Sequence, residues 1–443
     1  MGKEKEIATE YLIIGNSAGG IGAAEAIREI DKNGSLTIVS DEPYPAYSRP
    51  LISEYLAGER TVGQMLFRPA DFYSQNNINL VLSNKVKSLE LSQRIALMEN
   101  GEQITWSKLL LATGGAPIIP RMEGMDKKGV FTFLTIEDAR AISDFTDAAN
   151  NVHQVVVIGG GLIGVSVTEA LTKLGIGVTI VEMKNRVLNT ILDEQASSIA
   201  EKCLKRSDIK IVTNHTVSEI KGKSSVTGVI LDNGEEILCE MIIFAIGVLP
   251  RVELALDTEI KINRGVLVDN HMATNFPDVY SCGDVAEAYD FIYDTNRPIP
   301  LWPNAYIGGM VAGYNMASVK SEYPGGTAIN SLNYFGLDIA TAGMVTPPDD
   351  NDYEVITKQT DSIYQKVILN NGFVKGFIFT GNMEKSGMIF GLMRERVNIS
   401  SFKQELLEDD FGLICFPQEL RKERLGTSQS RVTHTSIKPI KKS

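Results

Sequence analysis

Three glycines with the spacing of a nucleotide-binding loop stand near the middle of the chain. Gly159, Gly161 and Gly164 follow the apolar run 155–158, and a helix-like segment leads from them to a second apolar run that ends on Glu182. In such a strand–helix–strand unit the glycines allow a tight turn, the approach of a pyrophosphate, and close packing of helix on strand. The carboxylate of Glu182 would bind a ribose diol and repel a 2′-phosphate, which favours NAD over NADP. A glycine turn with only a packing role is the alternative.

A degenerate copy of this loop lies close to the first residue. The apolar run 11–14 precedes it, a helix-like segment rich in small residues follows, and a second apolar run covers 36–39. The loop residues leave room for a pyrophosphate, and they are Gly15, Ser17, Ala18 and Gly20. Asp41 and Glu42 come just after the second run and are candidates for binding a ribose. A glycine-rich turn without a ligand is again the alternative.

Other candidate residues stand where predicted strands and loops end. Arg49 lies in a loop rich in Pro and Tyr, where it could reach a phosphate or a flavin. A solvated surface arginine is the alternative. A nucleotide could pass close to the backbone at the end of an apolar strand, at Ala112, Thr113 and Gly114. Asp284 follows Gly283 at the end of another short strand, where a buried carboxylate needs a hydrogen-bonding partner such as a polyol.

These candidates need two α/β units and further elements to position them. The segment 80–111 alternates like consecutive strands, with a hairpin at Asn100-Gly101. The segment 116–150 is predicted to be a connector that contains a helix-like stretch, IEDARAISDF. A strand-rich stretch with a hairpin at Asn371-Gly372 is predicted between 331 and 379, and a helix pair and a loop follow up to 417. From Gln418 the chain carries seven Lys or Arg against two Glu, and its end is predicted to be disordered.

Composition limits the class of protein. The 443 residues exceed one ordinary core, and 43% hydrophobic with 22% charged residues is typical of a soluble globular protein. We expect a cytoplasmic protein without a membrane span, because no apolar run is long enough and no signal-type segment precedes the first strand. A net charge of -12 argues against nucleic-acid binding. The four cysteines are scattered without a C-x-x-C pair, so no disulfide framework or metal site is expected.

Five motifs together resemble the pyridine nucleotide-disulfide oxidoreductase superfamily over nearly the whole chain. They are GNSAGG at 15–20, ATGG at 112–115, GGGLIG at 159–164, AIGVLP at 245–250 and the segment 274–284. Within the superfamily, DEPYPAYSRPLIS and LWPNAYIGGMVAGYNMA are most similar to one branch. That branch contains rubredoxin reductases, the FAD/NAD portion of NADH-dependent nitrite reductases, and oxidoreductases that accompany carbon monoxide dehydrogenases.

The resemblance implies an α/β fold with two Rossmann-like dinucleotide-binding domains, for FAD and NAD, and a C-terminal α+β interface domain that often forms homodimers. The implied limits are 1–118 and 251–325 for the FAD domain, 119–250 for the inserted NAD domain, 326–417 for the interface domain, and 418–443 for a basic, disordered tail. The matched FAD residues are Gly15, Ser17, Ala18, Gly20, Asp41, Glu42, Arg49, Pro50, Ala112, Thr113, Gly114, Gly283, Asp284, Trp302, Pro303, Asn304 and Ala305. The matched NAD residues are Gly159, Gly161, Leu162, Ile163, Gly164, Glu182, Ile246 and Gly247.

The activity that this resemblance implies is hydride transfer from nicotinamide C4 of NADH to flavin N5. Arg49 would contact the phosphates or ribityl chain of FAD, and residues 302–305 would line its isoalloxazine ring. Electrons would then pass to a small one-electron carrier, such as rubredoxin or a ferredoxin-like iron–sulfur protein. The alternatives are an NADH oxidase that reduces dioxygen and a redox-sensing interaction module. The basic tail could dock an acidic carrier, or it is a solvated terminus without a function.

Three departures from the superfamily pattern bear on this prediction. No cysteine precedes Cys203, so the thiol chemistry of the disulfide-reducing members is not expected at the flavin. Ser166 stands where many relatives have Glu, and Gly308 stands where many have Gln. We expect these smaller residues to open the flavin face to a partner or to weaken the ordering of the nicotinamide.

Overall fold

The first domain is built on a largely parallel sheet. The computed structural model describes residues 6–149, 152–348 and 352–426. The strands are β1 (Glu6–Ile14), β2 (Leu36–Val39), β3 (Ile78–Val81), β4 (Val86–Glu90), β5 (Ile95–Met98), β6 (Gln103–Leu111) and the short β7 (Gly115–Pro117). The helices are α1 (Ala18–Ile30), α2 (Ile52–Leu56), α3 (Val62–Met65) and α4 (Phe72–Gln75), with a 3₁₀ turn at Arg49–Leu51. The sheet order is β3-β2-β1-β6-β5-β4, and β1 runs parallel to both of its neighbours.

β1 is longer than the strand predicted at 11–14. It begins at Glu6 because residues 6–9 pair in register with residues 103–106 of β6. The hairpin predicted at Asn100-Gly101 is present and joins β5 to β6 in an antiparallel pair. All four residues of β2 are buried, as expected for a parallel strand covered on both faces.

The second domain is inserted after β7. The strands are β8 (Val130–Thr132), β9 (Gln154–Ile158), β10 (Gly177–Glu182), β11 (Lys210–Thr213), β12 (Val217–Lys221), β13 (Gly228–Leu231), β14 (Glu236–Leu238), β15 (Met241–Phe244) and β16 (Val248–Pro250). The helices are α5 (Ile136–Ala149), α6 (Leu162–Lys173) and α7 (Glu194–Arg206). The parallel sheet has the order β11-β10-β9-β15-β8, and β12, β13 and β14 form a separate antiparallel sheet.

The segment 116–150 contains the predicted helix as α5, but it is more than the connector that the sequence predicted. Its strand β8 pairs in parallel with β15, so it forms the edge of the second sheet. β7 and β16 pair with each other where the chain enters and leaves the inserted domain. The polar composition of 116–150 hid this strand, which is only three residues long.

The chain then returns to the first domain. It forms α8 (Glu253–Leu256), β17 (Val266–Leu267), β18 (Val279–Ser281), β19 (Ala286–Asp290), β20 (Thr295–Pro298) and α9 (Trp302–Met316). β18 pairs in parallel with the second half of β6, whereas β5 pairs with the first half. α9 packs closely on α1 because a Cβ atom at Gly309 would lie 2.0 Å from the carbonyl oxygen of Gly19. The first sheet is therefore completed by a strand that follows the inserted domain.

The C-terminal domain is an antiparallel sheet with helices. It contains β21 (Ile329–Tyr334), β22 (Leu337–Gly343), β23 (Glu354–Gln359), β24 (Tyr364–Asn370), β25 (Phe373–Thr380), α10 (Ser386–Arg394) and α11 (Gln418–Gly426). The order is β21-β22-β25-β24-β23, with the predicted hairpin between β24 and β25. Between β25 and 417 the structure has one α-helix and two short 3₁₀ turns instead of the predicted helix pair.

The predicted disordered tail begins with a helix. Residues 418–426 form α11, and 427–443 lie outside the described residues. Arg424 pairs with Glu395 at 2.5 Å and lies over the ring of Phe416, 5.3 Å from its centroid. These contacts with the C-terminal domain stabilise a segment whose charge alone suggested disorder. No helix in the described parts of the chain is long and apolar enough to cross a membrane.

Candidate functional site

The candidate residues of the first domain meet at one edge of its sheet. β1, β2, β6 and β18 run parallel, so their carboxyl ends lie side by side. This edge is where open α/β sheets bind ligands. The segments that follow these four strands carry residues 15–20, Asp41 and Glu42, residues 112–114, and Gly283 and Asp284. The fold therefore brings together the four segments that the resemblance assigned to one FAD-binding domain.

The loop between β1 and α1 has the close packing that its glycines predicted. Gly15 has a φ of 122°, and a Cβ atom there would lie 2.0 Å from the carbonyl oxygen of Ala112. Ser17 is the N-cap of α1, and within this described helix its side chain makes no capping hydrogen bond. A Cβ atom at Gly20 would lie 2.0 Å from the carbonyl oxygen of Gly15. The turn is therefore fixed by backbone contacts, with the first amides of α1 directed out of its N-terminus.

The strand end after β6 leaves space beside the backbone. A Cβ atom at Gly114, which has a φ of 76°, would meet no atom within 4 Å. The hydroxyl of Thr113 donates to the carbonyl of Arg251 at 2.8 Å, and the amide of Arg251 donates to the carbonyl of Gly114 at 2.9 Å. These bonds connect the strand end to the chain that leaves the inserted domain.

The two candidate ribose-binding acids have different surroundings. Glu42 pairs with Arg49 and accepts a hydrogen bond from the hydroxyl of Tyr47 at 2.5 Å. Asp41 is exposed and pairs with Arg251 at 3.1 Å. Glu42 is thus held as the partner of Arg49, whereas Asp41 lies at the open edge of the site.

Arg49 and Asp284 supply opposite charges to the same part of the site. Arg49 donates to the carbonyl of Leu134 at 3.2 Å and lies over the ring of Tyr47. Burial raises the pKa of Asp284 to about 6, and the positive charge of Arg49 opposes this rise. A desolvated carboxylate beside a cation fits a polyol that can donate hydrogen bonds.

The start of α9 closes this side of the site. Trp302 is the first residue of α9 and packs edge to face on Phe67, with 4.9 Å between the ring centroids. Ala305 is buried, and a Cβ atom at Gly283 would lie 3.4 Å from its Cβ atom. The first turn of α9 therefore contacts the segment that carries Asp284.

Three other predicted residues lie nearby but have less direct roles. The side-chain amide of Asn304 donates to the carbonyl of Thr327 at 3.1 Å. Pro303 and Pro50 are exposed at the starts of α9 and of the 3₁₀ turn at 49–51. Each proline is the second residue of its helical turn, where the N–H group that Pro lacks would have no intrahelical acceptor.

The burial of Gly308 argues against the expectation that this position opens the flavin face to a partner. Gly308 is buried on the side of α9 that faces the protein interior. A Cβ atom there would lie 3.1 Å from the sulfur of Met272 and 3.4 Å from the Cβ atom of Cys282. A larger side chain at this position would press on Met272 and Cys282.

The loop between β9 and α6 repeats this geometry in the second domain. Gly159 has a φ of 107°, and a Cβ atom there would lie 2.4 Å from the carbonyl oxygen of Ala245. A Cβ atom at Gly164 would lie 1.9 Å from the carbonyl oxygen of Gly159. At Gly161, by contrast, a Cβ atom would meet nothing within 4 Å. The middle glycine alone is open, which is the position where a pyrophosphate approaches.

The other predicted NAD residues surround this loop. Leu162 and Ile163 form the half-buried first turn of α6. Glu182 is buried at the end of β10, where its carboxylate accepts from the amides of Gly160 at 2.7 Å and Lys184 at 2.8 Å. Ile246 and Gly247 follow β15 at the same sheet edge, and Ile246 is exposed. These amide bonds fix the carboxylate of Glu182 beside the loop.

Ser166 contacts a residue that the sequence did not single out. Burial raises the pKa of the Tyr334 phenol at the end of β21 to about 12, and the nearby Ser166 hydroxyl lowers it. The Tyr334 hydroxyl also donates to the carbonyl of Leu162 at 3.3 Å. The C-terminal domain therefore reaches the first turn of α6. The sequence held no signal for this contact, because nothing in the alternation of β21 indicates which domain its end meets.

The two buried cysteines do not provide a reactive thiolate. Burial raises the pKa of Cys239 and of Cys282 to about 12, so both stay protonated thiols at neutral pH. Cys282 lies beneath α1, with its sulfur 2.8 Å from the Cβ position of Gly19. In the described residues, no group of three His, Cys, Asp or Glu side chains could hold a metal ion.

Both sites fit a dinucleotide. Gly114 and Gly161 leave open cradles that a Cβ atom would fill. α1 and α6 present first-turn amides, which have no intrahelical acceptor. Asp284 beside Arg49 suits a polyol, and the fixed carboxylate of Glu182 suits a ribose. Fold and site together define an oxidoreductase-type architecture with two dinucleotide-binding domains.

The chain belongs to the pyridine nucleotide-disulphide oxidoreductase family, whose model matches residues 9–309. Residues 329–397 match the rubredoxin NAD+ reductase C-terminal domain. Members of this family bind FAD and NAD(H), so the predicted family, fold class, enzyme class and cofactors are confirmed. The limits of the five segments and the individual cofactor residues stay predictions.

Three relatives illustrate this similarity. The nitrite reductase [NAD(P)H] of Bacillus subtilis (strain 168) is 26% identical over 88% of this chain, which spans 48% of that protein. The chain thus covers about half the length of this relative. The NADH oxidase of Methanocaldococcus jannaschii is 32% identical over 70% of this chain, and the match covers 71% of the length of that oxidase. The solved structure of NADH:rubredoxin oxidoreductase from Clostridium acetobutylicum is 26% identical in sequence, with a TM-score of 0.74. The match covers 89% of this chain and 97% of the chain in that structure.

Proposed function

We propose that this chain is an FAD-dependent NADH oxidoreductase that passes electrons to a small one-electron carrier, such as rubredoxin or a ferredoxin-like iron–sulfur protein. The observation that carries the proposal is the pair of nucleotide loops on two domains, each with an open glycine, next to a C-terminal domain of the rubredoxin reductase type. FAD, when bound, supplies the exchange between two-electron hydride chemistry and one-electron transfer.

The first domain holds FAD in this proposal. The loop 15–20 and the N-terminus of α1 bind the pyrophosphate, and Asp41 at the open edge binds the ribose. Asp284 accepts hydrogen bonds from the ribityl chain, and Arg49 provides the positive charge next to it. The first turn of α9, from Trp302 to Ala305, lines the ring system and excludes water from one side.

The second domain holds NADH. Gly161 admits the pyrophosphate to the N-terminus of α6, and Glu182 accepts hydrogen bonds from the adenine-side ribose. The buried carboxylate of Glu182 would lie next to the 2′-phosphate of NADPH. The repulsion between these two negative charges favours NADH over NADPH. Ile246 and Gly247 follow β15 at the same edge of the second sheet. The task of both domains is to align the two rings, since alignment lowers the barrier without acid–base groups.

A carrier protein is the acceptor that the site chemistry favours. Cys239 and Cys282 are buried thiols with raised pKa values, and neither can act as the thiolate that disulfide reduction requires. The match of residues 329–397 and the NADH:rubredoxin oxidoreductase relative support an iron–sulfur carrier. The docking role of the basic tail and a homodimer formed by the C-terminal domain stay predictions.

Stopped-flow absorbance tests this proposal on the FAD-loaded protein. Anaerobic mixing with NADH should bleach the flavin rapidly, and NADPH should do so much more slowly. A second mix with rubredoxin or a ferredoxin-like protein should restore the flavin colour at a rate that rises with carrier concentration. Rapid bleaching without any reoxidation by carriers would refute the assigned acceptor.

A second candidate is an NADH oxidase that reduces dioxygen. The 32% identity to the NADH oxidase of Methanocaldococcus jannaschii favours it. In that case air-saturated buffer should reoxidise the reduced protein at the rate of steady-state NADH consumption, with and without carriers. Reoxidation by oxygen that is far slower than turnover with a carrier would reject this candidate.

A further inference from the structure

The C-terminal domain reaches the nucleotide loop through one hairpin. β21 and β22 are joined by a tight turn in which Phe335 and Gly336 both have positive φ, at 49° and 75°. This is the conformation of a two-residue type I′ turn, which holds the flanking strands rigidly. The backbone amide of Phe335 at the tip donates to the carboxylate of Glu169 at 3.0 Å. The hairpin is thus anchored on the second turn of α6.

Tyr334 stands next to this tip and makes the closest polar contact with the loop. Its hydroxyl donates to the carbonyl of Leu162 at 3.3 Å, and its ring packs in the same apolar cluster as Leu162 and Ile163. Ser166, one turn further along α6, faces the same phenol. Burial raises the pKa of Tyr334 to about 12, so the hydroxyl remains a neutral donor at physiological pH.

The residue that Tyr334 contacts is the residue whose amide would face the pyrophosphate. Leu162 is the first residue of α6, directly after the open Gly161. The amides of a first helical turn have no intrahelical acceptor and point toward a bound anion. A hydrogen bond to the carbonyl of Leu162 fixes the orientation of the peptide group that this carbonyl shares with the amide of Ile163, the second amide of the helix. Such a bond orders the anion site before the nucleotide arrives.

We propose that Tyr334 is a positioning residue for the pyridine nucleotide, which acts by holding the first turn of α6 in the orientation that receives the pyrophosphate. The C-terminal domain thereby contributes to NADH binding without contacting the nucleotide. This inference rests on the proposed assignment of the loop 159–164 to NADH.

The docking of the C-terminal domain does not depend on Tyr334 alone. On the other side of the contact, Asp193 accepts hydrogen bonds from the Tyr364 hydroxyl at 2.8 Å and from Lys366 at 2.9 Å. Asp193 also caps α7 by accepting from the amide of Ala196 at 3.1 Å. Asp193 makes its hydrogen bonds with Tyr364, Lys366 and Ala196 and not with residues 159–164, so this second anchor provides a matched control.

The test compares Tyr334→Phe with Tyr364→Phe in the FAD-loaded full chain. Each variant removes one hydroxyl that joins the C-terminal domain to the second domain. The Tyr334 variant should raise the KM for NADH and the Kd for NAD+ about three- to tenfold, the value of one lost hydrogen bond. Its kcat should change less than about twofold, because a lost uniform binding interaction acts on KM. The Tyr364 variant should leave KM unchanged, and both should melt within a few degrees of the parent.

A Ser166→Ala variant provides the second measurement. If Ser166 acts through the Tyr334 phenol, then adding Ser166→Ala to Tyr334→Phe should raise the KM no further. An unchanged KM in Tyr334→Phe, or an equal rise in Tyr364→Phe, would overturn the inference. Failure of the parent protein to accept hydride from NADH would instead overturn the proposed function itself, which keeps the two outcomes apart.

Discussion

Gly161 and Gly164 provide two substitutions of the same kind with opposite expected results. The two glycines are three residues apart in one loop, and the proposed variants replace each of them with Ala. A Cβ atom at Gly161 has no atom within 4 Å, and its backbone φ of -79° is open to any residue. A Cβ atom at Gly164 would lie 1.9 Å from the carbonyl oxygen of Gly159, which is backbone and cannot rotate away.

Gly161→Ala should therefore fold normally and bind NADH poorly. Loss of the N-cap glycine costs at most about 1 kcal/mol. The added methyl group occupies the space where a pyrophosphate would approach the backbone. Loss of one charge-assisted hydrogen bond there costs about 1.5–3 kcal/mol, or roughly a 10- to 100-fold higher Kd for NADH. Anaerobic stopped-flow reduction over a range of NADH concentrations measures this Kd.

Gly164→Ala should instead lose stability. The clash with Gly159 forces α6 away from β9, at a cost of about 3 kcal/mol or more. For a domain of this size this corresponds to a fall in Tm of roughly 6–12 °C. Thermal unfolding followed by circular dichroism measures it. Unchanged NADH affinity in Gly161→Ala, or an unchanged Tm in Gly164→Ala, would refute the assignment of the loop.

Three further predictions concern single side chains. Glu182→Gln should lower the preference for NADH over NADPH several-fold, because the charge that repels a 2′-phosphate is lost; the ratio of kcat/KM for the two nucleotides measures this. Asp284→Asn should stabilise the FAD-free protein above pH 6 but not below pH 4. Burial raises the pKa of the Asp284 carboxyl to about 6, so the parent protein loses stability as the pH rises toward that value and Asn at this position does not. Denaturant unfolding at the two pH values checks this, and equal effects at both would contradict it. Gly308→Ala should leave the flavin reduction rate within about twofold of the parent, because the new methyl group meets Met272 in the core. A large change in that rate would indicate that position 308 faces the flavin.

The motifs with local spacing were predictable from the sequence. The turn at Gly159 and the open position of Gly161 depend on a strand, a glycine and a helix that follow one another within about ten residues. The hairpins at Asn100-Gly101 and Asn371-Gly372 were equally local, because both dipeptides favour the positive φ that a tight turn needs.

Contacts between distant segments were not predictable. Tyr334 meets Leu162 across 172 positions of sequence, and only the docking of two domains decides that contact. The sequence could not predict which side of α9 carries Gly308. Small and apolar residues lie on all sides of this helix, so it has no polar face that would indicate its orientation. α11 was missed because its stability depends on Glu395 and Phe416 rather than on its own composition.

The most direct test of the proposed function is a double-mixing stopped-flow experiment with the FAD-loaded chain. NADH is mixed first without oxygen, and an oxidised iron–sulfur carrier is added after the flavin has bleached. We expect much faster bleaching with NADH than with NADPH at equal concentration, followed by reoxidation whose rate rises with the carrier concentration. A flavin that NADH fails to bleach, or that no rubredoxin or ferredoxin-like carrier reoxidises, would contradict the proposed function.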